Sequence, residues 1–337
     1  MTSDSLGRYL SERIVASERR ARLRPMTSGE ILDQAMGVYR ALGWSFLKLS
    51  LVPSLFCLAA YAFFTSYVWP AMQSTRDPGS VSTQLSEAAM LLALSILVGG
   101  PLFLTGLTYI TGLVVGLAAN YLVGRPTVEN QAQRDATEYL PRIFLVVVRE
   151  FLVALGGPLL GIGLMFLGGW LADLTPESSA VAGVVTLVGV VAALGGIGFF
   201  LYVVAAHSLV VPIAILERLD GAESARRSRR LMKGSKYHVP GTNTVWSLYS
   251  LMVFIAAIIQ LGSWVTLSVL GLRGMIEDVT IGLPMQSLLL SVVDLVPAFL
   301  MVWALVPIWA TTITVIYFER RIRMEGYDID VLASHCR

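Results

Sequence analysis

The chain has 337 residues, 55% of them hydrophobic and only 14% charged, with a formal net charge of +2 and a mean hydropathy of +0.69. Soluble domains carry roughly 25% charged residues, so this composition excludes an ordinary water-soluble domain. It also excludes a nucleic-acid binder, because the cations flank apolar segments instead of gathering on a soluble unit.

Residues 1–26 form a polar, Arg-rich tail (Arg8, Arg13, Arg19, Arg20, Arg22, Arg24). No short apolar core with a small-residue cleavage site follows, so no cleaved signal peptide is expected. Residues 27–318 read as a six-helix membrane domain, with crossings at about 45–68, 88–123, 143–172, 180–216, 245–272 and 287–318, each meeting the requirement of about 20 apolar residues. Residues 319–337 form a second tail. The stretches 1–45, 124–142, 217–244 and 318–337 hold 21 of the 25 Lys and Arg, while 69–87, 173–179 and 273–286 hold two. Cations near short loops stay on the cytoplasmic side, so both termini are expected inside a plasma membrane.

A cytoplasmic stretch precedes each odd-numbered crossing and reads as a short amphipathic helix. Thr27-Ser28-Gly29-Glu30 and Asp220-Gly221-Ala222-Glu223 fit a capping box, and Thr127 caps the second more weakly. In the first, Ile31, Ala35, Val38, Tyr39 and Leu42 share one face at helical spacing. The expected fold is an all-α integral membrane protein: six transmembrane helices as three helical hairpins, each preceded by a cytoplasmic amphipathic helix. Breakers stand at Gly99-Gly100-Pro101, Pro212, Pro297 and Pro307. Gly112/Gly116, Gly157/Gly161 and Ala192/Gly196 have the spacing that lets helices pack closely, either inside the bundle or at a dimer interface.

Ionisable groups in lipid are costly and point to function. Lys48 lies near a membrane edge and can snorkel. Arg149 and Glu150 are adjacent, so on a helix they point about 100° apart and cannot simply pair with each other. His207 lies ten residues before Glu217, about 15 Å along a helix and near mid-bilayer, and Asp294 is the deepest carboxylate of the sixth crossing. Either Asp294, His207 and Arg149 line a polar pathway, or these groups satisfy one another and the carbonyls freed at proline kinks.

Arg226, Arg227, Arg229, Arg230, Lys233 and Lys236 fall within eleven residues, a cluster suited to anionic lipid headgroups at the cytoplasmic face. A site for a protein or a phosphate ligand is the other reading. Leu231 and Met232 give the cluster an apolar edge, as in a helix lying in the interface. Metalloprotease, nucleophile-elbow and P-loop patterns are missing. His335-Cys336 is only a two-ligand fragment. Cys57 and Cys336 share no exported face, so no disulfide, metal or cofactor is expected.

The chain ends Tyr317-Phe318-Glu319-Arg320-Arg321-Ile322-Arg323-Met324-Glu325-Gly326-Tyr327-Asp328, an aromatic belt and basic stop with Gly326 placed for a left-handed turn. This tail resembles that of the bacterial membrane domain named after glycerophosphoryl diester phosphodiesterases. Leu23–Asp33 and Ala225–Gly234 resemble the same family, and Glu319 stands where it usually has Asp. The resemblance implies a multi-helix membrane module, sometimes fused to a soluble phosphodiesterase and often standing alone. The hydrolase's His-Arg-Gly start and paired acids are missing here, so no such activity carries over. The expected role is a non-enzymatic scaffold or organiser of a membrane complex or of the bilayer, with lipids, a protein partner or a second copy as partners. The alternative is a transporter or permease subunit with a polar intramembrane pathway.

Overall fold

A computed structural model describes residues 25–64, 93–174, 179–233, 241–269 and 286–326, together with Met90 and Gly271. Among them the regular structure is entirely helical: α1 (Ser28–Phe63), a π turn (Ser95–Gly99), α2 (Gly100–Val123), α3 (Glu129–Leu174), α4 (Ser179–Ala206), α5 (Val210–Leu216), α6 (Gly221–Lys233), α7 (Gly241–Val269) and α8 (Gln286–Glu325). Among the described residues, six helical stretches are long and apolar enough to cross a membrane, in the order expected from the sequence. Apolar side chains on their outer faces, such as Leu187, Val191 and Leu194 of α4, are exposed, as lipid-facing residues must be.

The first two surface segments are not separate helices. α1 runs unbroken for 36 residues and α3 for 46. At about 1.5 Å per residue that is roughly 54 and 69 Å, well beyond a hydrocarbon core of about 30 Å. Ile31, Ala35 and Val38 are buried in a core shared with Ile110 and Leu117 of α2 and Ile313 and Tyr317 of α8. Their apolar stripe therefore packs on protein. Thr27 caps α1 as expected: its hydroxyl accepts the Glu30 N–H at 3.4 Å, and the Glu30 carboxylate accepts the Thr27 N–H at 2.8 Å. α3 begins two residues beyond Thr127, at Glu129, with the Ala132 N–H bonded to the Val128 carbonyl.

The expected breakers act in different ways. Before Pro101, which lacks an N–H, the chain passes through the π turn, and the Gly100 N–H reaches back to the Ser95 carbonyl. Pro212 removes the donor that would serve the Ser208 carbonyl, and its ring crowds that turn. The fourth crossing is accordingly broken at 207–209, giving α4 and α5. Pro297 and Pro307 lie inside an unbroken α8.

Small residues set two close crossings. A Cβ on Gly161 would lie 2.2 Å from the Ala193 nitrogen, and one on Gly196 would lie 2.3 Å from the Gly157 carbonyl carbon, so α3 and α4 touch backbone to backbone. Gly112 and Gly116 face Ala136 and Ala132. Both sets pack within the chain.

Candidate functional site

One end of the bundle gathers α6, the start of α1 and the end of α8 into an ion-pair junction. Arg218 turns the chain between α5 and α6 with φ 53°, a left-handed conformation uncommon for a side-chain-bearing residue. Glu217 just before it accepts from Arg227 Nε and, at 3.0 Å, from the Tyr317 hydroxyl. Arg227 Nη2 also donates to Glu325 at 2.9 Å, and Arg321 bridges Glu325 at 3.2 Å and the Tyr317 hydroxyl at 3.1 Å. Arg323 pairs with Glu319 and donates to the Met26 carbonyl at 3.0 Å. Burial pulls the Arg227 guanidinium down, but the hydrogen bond and charge of Glu217 and the charge of Glu325 outweigh it and raise its pKa. It stays charged at any working pH.

This junction sorts the basic cluster. Arg227 is half-buried, whereas Arg226, Arg229, Arg230 and Lys233 are exposed. Leu231 and Met232, expected at a lipid interface, are buried in the protein core. Ser228, fully buried, donates to the Ala206 carbonyl at 2.8 Å, pinning α6 to the end of α4 where the fourth crossing breaks. Lys236 lies outside the described residues. Gly326 takes φ 65° as expected, and its N–H bonds the Ile322 carbonyl.

At the break itself, His207 meets Glu150 of α3. Nε2 lies 3.3 Å from Glu150 Oε2, with the side chains 11% and 14% exposed. That is ion-pair distance, yet Nε2 lacks hydrogen-bond alignment with any partner. Nδ1 stands 2.8 Å from the Val203 carbonyl. A carbonyl only accepts, so Nδ1 carries a proton.

The pair lies on the wall of a cavity of about 490 Å³. α2, α3, α4, α5, α7 and α8 all contribute to it, chiefly apolar side chains such as Leu107, Val203 and Met252. Of the other residues expected in a pathway, Arg149 does not line the cavity. Arg149 is exposed, and the side chain of Asp294 lies outside the described residues. Lys48 pairs with Glu129 at 3.4 Å, both largely solvent- or headgroup-facing. Among the described residues no cluster of His, Cys, Asp and Glu could hold a metal. Glu217, Tyr317 and Trp309 were missed by sequence reasoning. Glu217 followed directly on an apolar run, and only its position at that boundary could have flagged it.

Together these features define an all-helical, multi-pass membrane protein with a charged junction at one end and a cavity beside a broken helix. No protein-family model, curated protein or solved structure matches the chain.

Proposed function

We propose that the chain is a non-enzymatic plasma-membrane organiser, built as three hairpins with both termini and the junction in the cytoplasm, that gathers anionic lipid at that face. The observation that carries this reading is the division of labour on α6. Arg227, Ser228, Leu231 and Met232 fix the helix to the bundle, which leaves Arg226, Arg229, Arg230 and Lys233 as a rigid outward row. Each basic residue near an anionic surface contributes about 1 kcal/mol, and a pre-fixed row loses little entropy on contact. The sequence motifs resembling the membrane-domain family fall largely on the junction, in keeping with a shared structural device.

The test uses the protein in vesicles containing spin-labelled phosphatidylglycerol or phosphatidylcholine. Selective immobilisation of the anionic lipid, lost when the four residues become Gln, is the expected result. Equal immobilisation of both lipids would end the proposal.

A second reading, a transporter or permease subunit, is favoured by the Glu150–His207 pair on a cavity at a broken helix, a setting that transporter sites use. Substrate flux through reconstituted vesicles that disappears in Glu150→Ala would support it, and flux unaffected by that change would remove it.

A further inference from the structure

The cavity beside the broken fourth crossing stands open along its flank. α4 and α7 bury side chains against the rest of the bundle only near the junction, through Val203, Ala205 and Ala206 on α4 and Val245 and Leu248 on α7. Farther along α4 the buried residues turn to α3. A Cβ on Gly189 would lie 2.6 Å from the Met165 nitrogen, and one on Gly168 would lie 3.0 Å from the Ala182 carbonyl oxygen. Beyond Leu248 no described residue of α7 is buried. Phe103 and Val253 line the cavity and are also 41% and 66% exposed on the outer surface. Its mouth therefore lies among side chains that face lipid.

The wall offers a guest little besides hydrocarbon. The Thr111 hydroxyl donates to the Leu107 carbonyl at 2.7 Å and the Ser208 hydroxyl to the Ala205 carbonyl at 2.9 Å, each within its own stretch of chain. Glu150 and His207 face each other, and the Tyr249 and Trp309 rings pack with centroids 5.9 Å apart. A buried water needs about two to four polar partners, and cavities lined by hydrocarbon stay dry. Left unfilled, such a wall forgoes its van der Waals contacts.

We propose that the cavity holds one acyl chain of a bilayer phospholipid, which enters through this flank while its headgroup stays outside. The polar side chains on the wall already have protein partners, so a headgroup drawn inside would lose its hydration without replacement. Size excludes a bulkier apolar guest. A helix with its side chains is about 10–12 Å across, so a volume of about 490 Å³ takes only about one turn of it, too little to seat a crossing from a second copy. A chain lying beside Phe103 and Val253 has no water to leave, and it gains the contacts that the empty wall lacks. The inference goes beyond both functional readings, since holding a chain requires neither flux nor the cationic row of α6.

The experiment places the full chain in phosphatidylcholine vesicles doped with phosphatidylcholine that carries a photoactivatable diazirine in mid-chain. Illumination, proteolysis and mass spectrometry then locate the adducts. The probe's headgroup has no net charge, so failure of the anionic-lipid reading would leave this test intact. Adducts are expected on Leu104 and Val203, which line the cavity yet are only 6% and 7% exposed. They are expected as well on Leu187 and Val191, which face bulk lipid. Ala256→Phe, which fills the cavity, should abolish the first set and keep the second. Native-chain adducts confined to the outer surface would overturn the proposal. That comparison needs no variant, so it decides even where Ala256→Phe does not fold. Undiminished labelling of Leu104 and Val203 in a folded Ala256→Phe chain would overturn it too.

Discussion

Glu217 and Arg227 face each other across the turn between α5 and α6, with their side chains 14% and 27% exposed. Through Glu325 and Tyr317 the pair ties that turn to the end of α8. Removing one member of a mostly buried charged network leaves the rest without compensation. Glu217→Gln should therefore cost about 3 kcal/mol, read as a fall in the unfolding midpoint in detergent. Lys48→Gln breaks a pair that is 61% and 36% exposed, and should change stability by under about 0.5 kcal/mol. Equal effects would mean that the junction does not hold the bundle.

The α3–α4 crossing depends on glycine where backbones meet. Gly161→Ala places a methyl against the Ala193 backbone and should destabilise by about 1–3 kcal/mol. Gly156→Ala meets nothing within 4 Å, so it should be neutral or stabilising. Thermal unfolding of the two variants side by side checks this.

Arg218 holds φ 53° with an exposed side chain. Glycine adopts that conformation without a Cβ clash, so Arg218→Gly should stabilise by roughly 0.5 kcal/mol once its extra unfolded-state entropy is counted. Arg218→Val, which is β-branched, should destabilise. Denaturation midpoints of the two should move in opposite directions.

Pro212→Ala restores the N–H that the Ser208 carbonyl lacks. The break at 207–209 should then close toward a continuous helix, and the amides of 209–211 should exchange more slowly with deuterium than in the native chain. Unchanged exchange would mean that tertiary packing, with the Ser228 hydroxyl on the Ala206 carbonyl, sets the break instead of the proline.

Features fixed by local chemistry were legible in the sequence. The Thr27–Glu30 box, the Gly326 turn and the close approach at Gly157, Gly161 and Gly196 all depend on residue type over a few positions. Hydropathy over about 20 residues located six spans for the same reason. Continuity was not legible, because a polar-to-apolar change along α1 or α3 looks the same whether or not the helix bends there. The meeting of Glu150 with His207 was hidden too. It depends on the rotation and axial register of α3 against α4, which glycine contacts set far from either residue. Arg227 looked like its neighbours, and only three-dimensional packing distinguishes the cation turned inward from the four turned out.

The orientation of the basic face is tested most directly by single-cysteine labelling, with Cys57 and Cys336 replaced by Ser. Arg229→Cys reports on α6, and Ala180→Cys reports on the opposite end of α4. A membrane-impermeant maleimide added to intact cells should label position 180 and spare position 229 until the cells are opened. Labelling of position 229 in intact cells would put the cationic row outside and contradict the account.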